Sequence, residues 1–236
     1  MKRNVAAIFL WVIGGLYVAP LLVLVVLASF VMPPERYDPV IKAAFRFLFR
    51  LLRIPVTVEG REHIDPSGTY LYMANHVSLL DIPLLAGYIP QFVRGIEADR
   101  QFRWPLYGHA IRRAGNIPMP RHSIHGSIQA IREAARRLRA GQSLVILPEG
   151  HRTLDGRLRP FKRLPFHLAK LGQRPIVPVG LSGLFAVKRK GDWRITPGPV
   201  KIAFGKPIDA KTVQRLSEDE LLQLVRQRIE ELVEFP

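Results

Sequence analysis

The run from Asn4 to Pro34 contains no charged side chain, and Lys2 and Arg3 stand immediately before it. A segment of that length and character is solvated by lipid far better than by water, so it constrains the chain more than any other feature. Taken as one straight helix, Val5 to Met32 rises roughly 42 Å at about 1.5 Å per residue, against a hydrocarbon core of about 30 Å. It must therefore tilt, bend or re-enter. Gly14, Gly15 and Pro20 are where a bend is cheapest, because glycine is permissive and proline removes a helix hydrogen bond. The run is too long for the apolar region of an ordinary signal peptide, and "VLASFVMPP" offers no small-x-small cleavage pattern. An uncleaved membrane anchor is expected.

The next segment, "DPVIKAAFRFLFRLLRIPV", repeats Lys42, Arg46, Arg50 and Arg53 every three or four residues within an apolar sequence. On a helix these form one basic stripe, predicting an amphipathic helix at a bilayer interface with its cations at lipid phosphates. From Pro55 onward apolar runs end in polar turns and alternate with helix-period segments. Strands are predicted near Val56–Glu59, Thr69–Ala74, Val93–Ile96, Gly115–Pro118, Ser143–Leu147, Ile176–Gly180 and Val200–Phe204. One helix places Ile124, Ile128, Ile131, Ala135 and Leu138 on a single face; another, Ser217 to Val233, opens with a capping-box pattern. The expected fold is α/β: a mixed, mostly parallel sheet flanked by helices, preceded by the membrane-embedded helical segment and the interfacial helix. The expected division is 1–54 for anchor and amphipathic helix and 55–236 for the α/β domain.

Lys and Arg number 35 against 19 Asp and Glu, a net charge of +16, so the partner is expected to be anionic. The absence of cysteine removes thiolate nucleophiles and Cys-ligated metals. The basic residues are scattered with no aromatic-interleaved recognition motif, which argues against the rival class, a membrane-tethered nucleic-acid-binding protein.

Within "LYMANHVSLLDIPLL", His76 and Asp81 stand five residues apart. Five residues of regular helix rotate a side chain through roughly 140° net, so the two need a turn between them. The sequence supplies one, with a strand ending near Ala74 and a helix starting close to Asp81, Pro83 in its first turn. A carboxylate there can fix the imidazole tautomer and leave the other ring nitrogen as a base. The spacing alone equally suits a turn histidine beside a helix cap. A metal reading lacks ligands, since His109, His122 and His125 complete no set. Two further loops follow strands, one carrying Arg121 and one carrying Glu149, Gly150 and Arg152. If those strands run parallel, all these residues emerge at the carboxyl edge of the sheet, where open α/β folds bind ligands. A base, a carboxylate able to accept from a hydroxyl, and guanidinium groups suited to phosphate point to a polyol phosphate.

At these residues the chain resembles the glycerolipid acyltransferases, specifically the 1-acylglycerol-3-phosphate (lysophosphatidate) acyltransferase family. "NHVSLLD" looks like that family's NHxxxxD block, "GNIPMPR" is similar to its second, "PEGHRT" to its third, usually PEGTRS, and "PIVPVGL" to its fourth. The resemblance implies that His76 is the general base and Asp81 its orienting partner, that Arg121 contacts substrate phosphate, and that Glu149, Gly150 and Arg152 bind the acceptor. It implies an acyl-CoA or acyl carrier protein donor, a lysophosphatidic acid acceptor, phosphatidic acid as product, and neither bound cofactor nor metal. It also implies a cell-membrane location with the catalytic domain facing the cytoplasm. Pro120 stands where the family usually has an acid, and His151 and Thr153 replace the usual threonine and serine. The changes around His151 make a lyso-ornithine lipid or lysophosphatidylcholine the rival acceptor.

Overall fold

The computed structural model describes residues 2–235; the side chains of the expected basic flank, Lys2 and Arg3, lie outside that description. The uncharged run forms one helix, α1 (Lys2–Ala28), which continues through Gly14, Gly15 and Pro20. The helix is not interrupted at the positions where a bend looked cheapest; the chain reverses at residues 29–33, ahead of α2 (Pro34–Leu51). Consecutive prolines explain the place. A residue preceding proline is pushed out of the helical region, whereas Pro34 can open a helix because the first helical N–H lacks a partner anyway. The two helices form a hairpin: Tyr17 Oη donates to Ala44 O at 3.1 Å, the Tyr17 and Phe47 rings lie 5.5 Å apart, and Gly14 faces Leu52.

The basic stripe of α2 is placed differently from expectation. Lys42 is buried, pairs with Asp38 and donates to Gln91 O at 2.9 Å, while Arg46 donates to Gly87 O at 3.2 Å. These two cations bind the α/β domain instead of facing lipid phosphates, because their flexible stems let the charged heads reach carbonyls left open by the domain. The exposed face of α2 carries Val40, Ala43 and Phe47 along its middle, with Arg36 and Arg50 exposed toward its two ends and Arg53 exposed just beyond. Leu48, Phe49, Leu52 and Ile54 enter the main core, so packing is continuous across the expected division at 54 and 55.

The remaining elements are β1 (Val56–Glu59), β2 (Leu71–Ala74), α3 (Asp81–Tyr88), β3 (Val93–Ala98), α4 (Tyr107–Arg113), β4 (Ile117–Met119), α5 (Ile124–Arg139), β5 (Ser143–Ile146), α6 (Leu164–Gly172), β6 (Ile176–Ser182), α7 (Leu184–Lys188), β7 (Val200–Phe204), α8 (Ala210–Arg215) and α9 (Glu218–Glu230). The strands form one sheet in the order β1-β7-β6-β2-β5-β3-β4. Every pairing is parallel except β6 with β7, which gives the mixed, mostly parallel sheet that the sequence predicts.

Both faces of the sheet are covered. Tyr72 and Ala74 of β2 pack with Phe49, Leu52 and Leu84 on one side, while Leu71 and Met73 pack with Ile131, Leu138 and Phe166 on the other. A strand buried on both faces reads as a continuous apolar run, which is why "LYMA" and "SLVI" carry no alternation. Each leucine, isoleucine, methionine or phenylalanine among these side chains contributes about 1.5–3 kcal/mol by leaving water. Ile124 departs from the predicted helix face: it stands in the first turn of α5 and is 84% exposed, whereas Ile131, Ala135 and Leu138 are buried. The capping box of α9 forms as read, with Ser217 and Glu220 exchanging side-chain-to-backbone hydrogen bonds.

Candidate active site

Because β2, β5, β3 and β4 are parallel neighbours, the loops that follow them open on one edge of the sheet. Asn75 begins the loop after β2. Its side chain donates to Leu181 O at 2.9 Å and accepts from Leu181 N at 2.7 Å, stitching the strand end to β6 before the chain turns. That turn brings His76 and Asp81 together: Nδ1 of His76 lies 2.7 Å from Asp81 Oδ2. The same carboxylate accepts from the backbone N–H of Val77 at 2.7 Å and of Ser78 at 3.0 Å. A carboxylate can only accept from the ring as well, so Nδ1 carries hydrogen, and in the neutral ring the lone pair falls on Nε2. Asp81 is fully buried, whereas the His76 side chain keeps 17% of its surface. Position thus separates the holder from the group that reaches the cavity.

Glu149 holds the other side of the turn. Its two oxygens accept from His76 N at 2.8 Å and Arg159 N at 2.9 Å, tying the loop after β5 to the loop after β2. Its pKa is raised, because burial outweighs the two backbone N–H bonds that lower it. Glu149 therefore sits behind the histidine, not in the cavity wall, and its carboxylate positions backbone where a hydroxyl contact was expected. Gly150, next in sequence, has φ +72° and does line the cavity; a side chain there would also press on Lys162. Thr153 N donates to His76 O at 2.9 Å, which secures the same loop a second time.

The cavity measures about 280 Å³. His76, Ser78, Gly150 and His151 line it near the turn, with Arg100, Arg121, Arg152 and Lys190 contributing cations. From there it runs among Ile82, Leu85, Ile96 and Ile111 to Leu22 and Val25 of α1 and Ile41 and Phe45 of α2. It is polar and cationic near the imidazole and apolar toward the hairpin. His151 has its pKa lowered by burial first and then by the neighbouring cations Arg121, Lys162, Arg159 and Lys190. Two acids lie in the wall toward the hairpin: Asp38, paired with Lys42, and Glu97, which accepts from Tyr107 Oη at 2.6 Å and from Asn116 Nδ2 and whose pKa is raised by burial.

The sequence reading missed Asn75, Ser78, Lys188 and Glu97. Asn75 adjoins His76 inside the quoted block and could have been flagged as a polar residue ending an apolar strand. Ser78 Oγ donates to Lys188 O at 2.7 Å, a contact across 110 positions for which no local pattern exists. Among the described residues, no group of three His, Asp or Glu side chains is arranged to hold a metal ion.

The family model described as Acyltransferase matches residues 55–182, more than half of the chain and all of the loops just described. The chain belongs to the acyltransferase family. A 1-acyl-sn-glycerol-3-phosphate acyltransferase of Cocos nucifera is 35% identical over 164 residues, 69% of this chain and 53% of that protein. One of Limnanthes douglasii is 33% identical over 168 residues, 70% of this chain and 59% of that protein. The chain thus spans little more than half the length of these plant relatives. The crystal structure of the 1-acyl-sn-glycerophosphate acyltransferase PlsC of Thermotoga maritima superimposes with a TM-score of 0.85 at 27% identity, covering 98% of this chain and 94% of that one. Its likeness extends over the α1–α2 hairpin as well as the family domain.

Proposed function

We propose that this acyltransferase moves a fatty acyl group from a thioester, acyl-CoA or acyl carrier protein, to the free hydroxyl of lysophosphatidic acid, giving phosphatidic acid for phospholipid synthesis. The observation that carries the reading is the His76–Asp81 pair at the meeting point of a cationic pocket and an apolar channel. The acceptor hydroxyl approaches His76, Nε2 takes its proton, and the oxygen attacks the thioester carbonyl carbon. A C–O bond forms, the tetrahedral intermediate collapses, the C–S bond breaks, and the imidazolium returns its proton to the departing sulfur. Asp81 balances the imidazolium while it lasts. Arg121 and Arg152 hold the acceptor phosphate, which fixes the hydroxyl against the base, and Gly150 lets the phosphate approach backbone. The apolar channel takes acyl chain and opens toward the hairpin from which lipid arrives. Assaying the purified chain in detergent with lysophosphatidic acid, lysophosphatidylcholine and lyso-ornithine lipid, each with acyl-CoA and acyl carrier protein, tests it. Turnover fastest on an acceptor without a glycerol phosphate would overturn the acceptor assignment.

Arg121→Gln and Arg152→Gln are each expected to weaken lysophosphatidate binding about tenfold, the worth of one charge-assisted hydrogen bond. Neither change should alter binding of a monoacylglycerol, which has no phosphate. Direct measurement of acceptor binding checks this, and equal losses for both ligands would remove the arginines from the phosphate site.

The hairpin supports a location on the membrane; a domain on the cytoplasmic side is the expectation that goes with a substrate supplied as a cytoplasmic thioester. α1 is bound to the domain along its length: Leu10 joins the main core, Trp11 Nε1 donates to Trp193 O at 2.6 Å, and Val25 packs with Ala110. A helix so held lies along the domain, its exposed Phe9, Leu16 and Leu24 and the Phe47 of α2 facing the bilayer. Vesicle attachment of the full chain should persist at 1 M salt, where the Debye length is about 3 Å. The double substitution Leu16→Asp with Phe47→Asp should lose that salt-resistant attachment, since each side chain withdrawn from lipid forfeits about 1.5–3 kcal/mol. Flotation with zwitterionic vesicles measures it; unchanged flotation would place the bilayer on another face.

A further inference from the structure

At the tip of the hairpin lies a second recess, about 370 Å³, lined by Pro34, Gln142 and four arginines, Arg94, Arg113, Arg136 and Arg137. None of these arginines lines the cavity that holds His76. Two carboxylates answer them. Glu35 pairs with Arg94, and Glu133 pairs with Arg136 at 2.8 Å and Arg137 at 2.6 Å. Two positive charges are left uncompensated around one concavity.

Part of this arrangement is structural. Arg94 is buried and stacks on Phe92, and Arg137 donates to Gly115 O at the end of α4. Arg113 is different: among the described residues it has no carboxylate partner, and its guanidinium lies 4.2 Å from the centre of the Phe30 ring. Phe30 and Val31 are 65% and 78% exposed in the turn between the two lipid-facing helices. A guanidinium laid over an aromatic ring at the lipid boundary keeps its N–H edge free for an anion. Gln142 adds a buried Oε1 without a hydrogen-bond partner among the described residues, an acceptor suited to a headgroup hydroxyl.

We propose that this recess binds the phosphate of an anionic glycerophospholipid, apart from the catalytic cavity, and so seats the hairpin tip on an anionic bilayer. The acyl chains lie along Phe30 and Val31, while Arg113 and Arg136 take the phosphate oxygens. The site rests on charge and shape at the hairpin, not on the reaction, and flotation reads it without any assay of acyl transfer.

The test compares the full chain with Arg113→Gln/Arg136→Gln and with Arg50→Gln/Arg53→Gln, a pair that removes equal charge at the other end of α2. Each is floated with phosphatidylcholine vesicles and with vesicles containing phosphatidylglycerol. The recess pair is expected to lose about 25-fold of the phosphatidylglycerol-dependent binding, about fivefold for each arginine near an anionic surface. Arg113→Gln alone, which disturbs only the contact with Phe30, should lose about fivefold. Binding to phosphatidylcholine should be the same in all. Equal losses in the recess and control pairs would reduce the effect to diffuse charge and overturn the site. Inorganic phosphate binding that depends on Arg113 and Arg136, with phosphatidylglycerol binding undiminished in their absence, would assign the recess to free phosphate and overturn the lipid.

Discussion

His76→Ala is expected to lower acyl transfer by about 10² to 10⁴, the range that a positioned general base contributes, with fold and membrane attachment retained. Retention follows from the structure: the ring is partly open to the cavity, and what holds the turn is the His76 backbone, whose N–H donates to Glu149 and whose carbonyl accepts from Thr153. Alanine keeps both bonds. Acceptor affinity should change little, because the phosphate is held by Arg121 and Arg152. The measurements are turnover with a soluble short-chain substrate, acceptor binding, and thermal unfolding beside the unaltered chain. A folded variant that turns over at the normal rate would remove the imidazole from the chemistry.

Asp81→Asn is expected to cost about 10² in turnover and, unlike the histidine change, stability as well. Oδ2 of Asp81 serves His76 Nδ1, Val77 N and Ser78 N together, so asparagine will keep its oxygen there. Its NH₂ then falls at the Oδ1 position, 3.0 Å from Ser78 N, where donor meets donor in a site without water access. That mismatch costs about 1–3 kcal/mol, the penalty for a buried group left unpaired. Ring orientation survives, but the negative charge that balances the imidazolium is gone, so the loss falls on kcat and not on acceptor affinity. Turnover, acceptor binding and denaturant midpoint separate these effects. Loss of stability with full turnover would make Asp81 a structural cap alone.

How far the site was legible varies from residue to residue. The turn between His76 and Asp81 could be argued from helix rotation and from Pro83, because those are local constraints. The same local spacing left a helix cap open, and the register of the carboxylate with the ring settles the contact. Glu149 shows the limit more sharply. Its place in a turn after a strand was readable, but its partners, the amides of His76 and Arg159, lie 73 and 10 positions away, and only the fold shows that its carboxylate binds backbone. Lys42 and Arg46 fail in the same way: helical period predicts a stripe, and period cannot tell which neighbour lies under it.

Much of the architecture was already dictated by covalent order. Apolar runs without alternation pointed to a sheet covered on both faces, the uncharged N-terminal run made one long apolar helix, and Pro33-Pro34 contained the reversal between α1 and α2, although Gly14, Gly15 and Pro20 had looked the cheapest places for a bend. These follow from steric and solvation rules that act over a few residues. Packing decided the rest: which face of α2 meets the domain, that the channel ends at Leu22 and Val25, and that Arg94, Arg113, Arg136 and Arg137 share one recess. Side chains brought together across the fold carry no common local pattern, since the free energy that joins them depends on distance in space and not along the chain.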